Sequence, residues 1–270
     1  LKRQRARPDA ACVVLDVGDL FLGSAYFTVL QGEVELSVLE RQQYSAMALG
    51  NHDFDGGEGL PHLLRLAAKH APSVPVLCAN LRREDGQLVC PPYTIVDAGG
   101  ARVGVVGLLG QGAFDVIDVS LRSGLRLEAP VDAARRVCAE LGDAELSALV
   151  CCSHDGVAHG GDRALAAAGV FDVIFSGHEH AELPPGHAGW ELVRNGRANG
   201  LGGTLLHPGW WGGQGVARAE LLLRRDSSDG GDGGRFVGWE GGTDRIDASS
   251  GEDAATAAWL QGHRRRTRAV

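Results

Sequence analysis

Short apolar runs in this chain repeatedly stop at a small residue and give way to Asp, Asn or His. Val13-Val14-Leu15-Asp16-Val17 leads into Gly18-Asp19, and Ala46-Met47-Ala48-Leu49 into Gly50-Asn51-His52. Leu146 to Cys152 leads into Ser153-His154-Asp155-Gly156, and Phe171 to Phe175 into Ser176-Gly177-His178-Glu179-His180. Continuous apolar runs of this length are the pattern of strands buried on both faces. Pro75 to Ala79 and Arg102 to Leu108 read the same way. Helical patterns separate them: a predicted helix over Pro130 to Leu141, with Pro in its first turn, and a short one over Asp162 to Ala168. Strands alternating with helices predict an α/β protein. Ligands in open α/β sheets collect at the carboxyl ends of strands, so these polar exits are expected to converge on one site.

At 270 residues and 44% hydrophobic content the chain can bury a full core, which suits one enzyme-sized domain. A net charge of −8 excludes a duplex nucleic-acid binder, because Lys and Arg cluster only at Arg3 to Arg7 and Arg264 to Arg268, read as solvated ends. No stretch reaches the roughly 18 apolar residues of a transmembrane helix. The six cysteines (Cys12, Cys78, Cys90, Cys138, Cys151, Cys152) form no C-x-x-C pair and read mostly as buried thiols. A Cys78–Cys90 bridge is the alternative in an oxidising compartment. Leu221-Leu222-Leu223 reads as the last strand, which places the domain at 1–225 and a flexible Gly/Ser/Asp segment at 226–234. Residues 235–270 are left as a tail with one short helix over Glu252 to Gly262.

Gly18-Asp19, Tyr26-Phe27-Thr28-Val29 with Gly32, Met47 to His52, and Gly177-His178 together resemble the 5'-nucleotidase family of calcineurin-like metallophosphoesterases, over roughly residues 1–223. The resemblance implies a four-layer α/β/β/α sandwich carrying two divalent metal ions, Zn or Mn. It implies that Asp19, Asn51, His154 and His178 form one metal's shell, while His180 joins Asp19 on the other. The chemistry agrees: a carboxylate shared between two dications about 3.5–4 Å apart lowers their repulsion, and amide oxygen with imidazole nitrogen suits Zn, Mn, Fe or Co. His52, next to a ligand, is expected to stabilise phosphoryl charge or protonate the leaving group, with Asp55 orienting its ring. His178 and His180 alternate along a strand-like face, so Glu179 between them is expected to point away. Plainer readings exist: Asp19 as a turn cap, Asn51-His52 as a turn, His154 as a polar strand end. His62, His70 and His263 read as surface decoration, His159 and His187 stay unassigned, and His207 is not placed in the site. Trp210-Trp211-Gly212-Gly213 matches an aromatic-Gly turn of the family and reads as core packing. Gly99-Gly100 and Gly202-Gly203 match no nucleotide-binding loop.

Two departures bear on function. The family's opening strand with Asp-x-His has no counterpart before Gly18, so the expectation is an N-terminally truncated domain that keeps one full metal shell. The family's nucleoside-gripping second domain would follow residue 270. The expected activity is hydrolysis of nucleoside 5'-monophosphates by metal-activated hydroxide, with a small-molecule nucleotide as partner. The alternatives are an impaired metal-binding fragment, or a phosphodiesterase or nucleotide-sugar hydrolase on the same scaffold. An extracellular, periplasmic or membrane-anchored location follows from resemblance alone, and the sequence leaves the oligomeric state open.

Overall fold

The structure, a computed structural model, describes residues 2–142, 144–158, 160–180, 189–209, 214–223, 236–246, 250–251 and 253–267. Among these residues the helices are α1 (Lys2–Arg5), α2 (Ala25–Leu30), α3 (Glu33–Arg41), α4 (Leu60–His70), α5 (Gln111–Val116), α6 (Pro130–Leu141), α7 (Gly161–Ala167) and α8 (Ala254–Thr267). The strands are β1 (Leu15–Asp16), β2 (Ala46–Ala48), β3 (Val76–Leu77), β4 (Leu81–Arg83), β5 (Tyr93–Ala98), β6 (Ala101–Leu109), β7 (Leu125–Leu127), β8 (Ala148–His154), β9 (Val173–Ser176), β10 (Glu191–Arg194), β11 (Gly203–His207), β12 (Gly215–Leu223) and β13 (Phe236–Arg245).

β1, β2 and β3 pair in parallel. A larger sheet runs β10-β11-β9-β8-β6-β5, parallel from β11 to β6 and antiparallel at both edges. The two sheets meet through Ala46, Ala48 and Leu77 on one side and Val105 and Cys152 on the other. The opposite face of the larger sheet, with Val106, Leu108, Cys151 and Ile174, takes Ala133, Ala134 and Val137 of α6 and Leu165 and Ala166 of α7. Leu36, Leu39 and Leu63 from α3 and α4 cover Met47 and Leu49 at the outer face of the small sheet. The order helix, sheet, sheet, helix is the α/β/β/α sandwich. The run of buried residues through β8 is explained by layers on both sides. Fully burying one such aliphatic side chain contributes roughly 1.5–3 kcal/mol, so β8 is a firm platform for the histidine at its end.

Several expectations change. The compact unit does not stop near Arg225: β13 pairs antiparallel with β12, and Phe236 and Trp239 pack with Val150, Val173 and Leu205. Beyond it, α8 lies on α2 and α3, with Gln42 Nε2 donating to Thr256 Oγ1 at 2.9 Å and the Arg41 guanidinium 4.8 Å over the Trp259 ring. The terminal arginines are not merely solvated. Arg5 donates to the carbonyls of Gln42 and Gln43, Arg7 pairs with Glu220 at 2.6 Å, and Arg266 pairs with Glu33. Cys78 and Cys90 are free buried thiols rather than a bridge, and burial pushes Cys78 up to about 11. The segment 226–234 lies outside the described residues, as do Trp210-Trp211-Gly212-Gly213, His159 and His187. Among the described residues no helix is long and apolar enough to cross a membrane.

Candidate metal centre

The four polar motifs do meet. Asp19, His154 and His178 offer ligand atoms that all lie within 4.8 Å of one another. His154 stands at the end of β8; its Nδ1 faces the Val17 carbonyl at 2.7 Å, and its Nε2 lies 3.0 Å from Asp19 Oδ2. A carbonyl can only accept, so the ring proton sits on Nδ1 and Nε2 presents its lone pair. The His154 and His178 rings stand 5.3 Å apart, centre to centre. The backbone is bare where these groups approach. A Cβ at Gly50 would overlap Asp19 and lie 2.8 Å from His154 Cε1, and one at Gly177 would lie 2.8 Å from His154 Nδ1.

Asn51 Oδ1 is buried without a hydrogen-bond partner among the described residues, while the buried His154 Nε2 faces the Asp19 carboxylate. An orphaned buried polar atom costs roughly 1–3 kcal/mol and calls for an explanation. His154 Nε2 and Asp19 Oδ2, 3.0 Å apart, form an ion pair when the ring is protonated; when the ring is neutral with its proton on Nδ1, both atoms can bind a cation. Without a cation, burial disfavours a charged His154, yet the Asp19 carboxylate outweighs it and raises the imidazole pKa. Burial likewise works to raise Asp19, and His154 overrides it and lowers the carboxyl. His178 is pushed down, first by burial and then by His154, which keeps it neutral and able to coordinate. Burial pushes Asp16 up to about 6 and Asp53 up to about 7, and the Asp19 charge adds to both. Carboxyls crowding one another around two imidazoles fit a divalent cation.

The Asn51 motif folds into a tight turn over His52–Phe54, which carries the expected dyad: His52 Nδ1 lies 2.7 Å from Asp55 Oδ2. The His52 backbone N–H donates to Asp19 Oδ1 at 2.8 Å, tying the dyad to the cluster. Sequence reasoning missed Asp53. Fully buried, it accepts from the backbone N–H of Asp19 (3.1 Å), Leu20 (2.9 Å) and Gly50 (2.8 Å), joining the two loops that carry Asp19 and Asn51. A charged residue between Asn51-His52 and Asp55 was the available signal.

His180 is exposed and outside the group formed by Asp19, His154 and His178, and the ion expected to take it with Asp19 is a second one; the strand ends at Ser176, and the backbone turns left-handed at His178 (φ 78°) and His180 (φ 46°). Strand alternation therefore never applies to the pair, and the Glu179 carboxylate reaches the loop that follows His154. His207 is core: buried, it accepts from Gly209 N–H at 2.9 Å, meets Thr243 Oγ1 at 2.9 Å, and packs its ring 4.8 Å from that of Trp190. His62 is a brace, with Nε2 against the Gln31 carbonyl at 2.9 Å.

Asp19, His154 and His178 thus gather at the strand exits of a double-sheet sandwich, with a His–Asp dyad hydrogen-bonded to Asp19. No protein-family model matches the chain. A probable 5'-nucleotidase of Treponema pallidum is 30% identical over 189 residues, spanning 67% of this chain and 30% of the relative. Human 5'-nucleotidase is 30% identical over 191 residues, or 68% of this chain and 32% of that protein. The crystal structure of a 5'-nucleotidase precursor from Thermus thermophilus superposes with a TM-score of 0.83 at 26% identity, over 99% of this chain and 52% of that one. This chain belongs to the 5'-nucleotidase family of calcineurin-like phosphoesterases. It spans 30–32% of the length of these two curated relatives.

Proposed function

We propose that the chain carries the catalytic centre of a metal-dependent phosphoric-monoester hydrolase acting on nucleoside 5'-monophosphates. The observation that carries this reading is the group formed by Asp19, His154 and His178, whose ligand atoms lie within 4.8 Å of one another, tied through Asp19 to the His52–Asp55 dyad. The names of the relatives supply the ester class and the nucleotide. Asp19, Asn51, His154 and His178 would hold one divalent ion, Zn or Mn. When bound, such an ion supplies positive charge for phosphoryl oxygens and activates water for in-line attack. The rest falls to the protein's own groups. Asp55 accepts the Nδ1 proton of His52 and fixes the ring, leaving Nε2 as the edge able to hold or donate a proton at a phosphoryl or leaving oxygen. Val17 sets the His154 tautomer in the same manner.

The test is phosphate release from AMP by the purified chain after loading with Zn²⁺ or Mn²⁺, with metal content measured in parallel. His52→Ala should lower turnover by roughly 10²–10⁴-fold with metal content unchanged. Full activity in that variant removes the role given to His52. Preference for a phosphodiester over AMP, or no metal retained by the unaltered chain, overturns the assignment.

A further inference from the structure

We infer that Glu179 is a positioning residue of the metal centre, holding the His178 turn against the loop that follows His154. The inference rests on the metal-site reading above and adds a residue to it. Glu179 Oε2 accepts from the backbone N–H of Val157 and of Ala158, each at 2.6 Å. Both donors belong to the loop that leaves β8 directly after His154. Glu179 itself sits between His178 and His180, both with left-handed backbone (φ 78° and 46°). Non-glycine residues adopt that conformation only where the surroundings impose it. Around this turn the imposing contacts are Gly177 N–H donating to the Ser153 carbonyl at 2.8 Å and the Glu179 carboxylate on the neighbouring loop. Gly156 makes room: its φ is 100°, and a Cβ there would overlap the Glu179 carboxyl group. The carboxylate therefore bridges the strand exits of β8 and β9, and with them the 5.3 Å spacing of the His154 and His178 rings.

Among the described residues Glu179 lies outside the Asp19, His154 and His178 group, so its effect passes through ligand placement. Loss of a group that orients metal ligands costs about 10–100-fold in metal affinity. The experiment is calorimetric Co²⁺ titration of the unaltered chain, Glu179→Ala and Glu179→Gln, with the Co²⁺ absorption spectrum of each. Glu179→Ala should bind Co²⁺ roughly 10–100-fold more weakly, with shifted ligand-field bands, and Glu179→Gln, whose carbonyl oxygen can accept from both N–H groups, should recover most of the affinity. Wild-type affinity and spectrum in Glu179→Ala overturn the inference while the metal site stands. Absence of Co²⁺ binding by the unaltered chain overturns both. If Glu179→Ala does not fold, amide hydrogen exchange in the unaltered chain decides. Slower exchange at Val157 and Ala158 on adding Co²⁺ supports the inference, since coupling between ligand placement and loop order is reciprocal; equal exchange overturns it.

Discussion

Gly50→Ala places one methyl group where Asp19 and His154 come closest. The new Cβ would overlap Asp19 Oδ1 and the Asp19 backbone nitrogen, and would stand 2.8 Å from His154 Cε1. Carbon contacts settle at about 3.5–4.0 Å, so His154 would have to retreat by roughly 1 Å and Asp19 by more. Neither has an easy way out: Gly50 N–H and Asp19 N–H are both bound to Asp53, and His154 is held by Val17. Overpacking of this kind costs roughly 1–3 kcal/mol, and about 2–4 °C in Tm per kcal/mol for a chain of this size gives a fall of about 2–12 °C. Metal affinity should suffer far more than stability, because a misplacement of about 1 Å at a reacting centre can cost about 10²-fold. Gly112→Ala in α5 is the matched control: a Cβ there meets nothing within 4 Å. It should stabilise by roughly 0.5–1 kcal/mol and leave metal binding alone. Thermal melts with calorimetric Co²⁺ titration read both quantities. Unaltered Co²⁺ affinity in Gly50→Ala would refute the claim that Asp19 and His154 converge on one ion beside Gly50.

Asp53→Asn keeps the shape but offers one accepting oxygen where Asp53 uses both, Oδ1 for Leu20 and Oδ2 for Asp19 and Gly50. At least one backbone N–H then meets an amide N–H, and at roughly 1–3 kcal/mol per unpaired buried group the loss should be about 2–5 kcal/mol in urea denaturation; a near-neutral result refutes the tie. Stability without metal should also depend on pH through Asp162, which burial pushes up to about 6. Because its folded pKa is raised above that of an unfolded aspartate, the stability it contributes is complete below about pH 4 and is lost as pH rises through about 6, in all about 3 kcal/mol. Asp162→Asn imitates the protonated acid, so its stability relative to the parent should improve between pH 5 and pH 8; parallel pH curves for the two proteins would refute the assignment.

The sandwich was legible because its strands are apolar on both faces. Leu146 to Cys152 and Phe171 to Phe175 could be read as buried strands without knowledge of their neighbours, and α6 announced itself by Pro130 at its start. β13 was not legible. Gly238, Gly241 and Gly242 thin out its pattern, and what makes it a strand is pairing with β12 and the packing of Trp239 near Trp190, 6.0 Å between ring centres. The convergence of Asp19, His154 and His178 followed from their shared position at strand exits. The strand-like alternation of His178 and His180 failed for a local reason, since the chain leaves β9 at Ser176 and turns left-handed at both histidines.

What the sequence hid most completely was the use of its acids. Asp53 ties the Asp19 loop to Gly50, Asp162 takes Ser153 Oγ and Gly156 N–H, and Glu179 takes Val157 and Ala158 N–H. At the opposite end of the same strands Asp172 takes Leu149 N–H and the side chains of Arg197 and Asn199. In composition these residues count towards a net charge of −8 and look like solvated surface. In the fold each accepts backbone N–H groups close to strand ends, where the regular sheet bonding stops. Loops tied in this way hold ligands firmly while leaving negative charge under the site, and Asp16, Asp19 and Asp53 feel one another through it. A divalent ion is the natural counterweight to that charge, so the acids that brace the loops and the donors that face the cluster make one electrostatic unit.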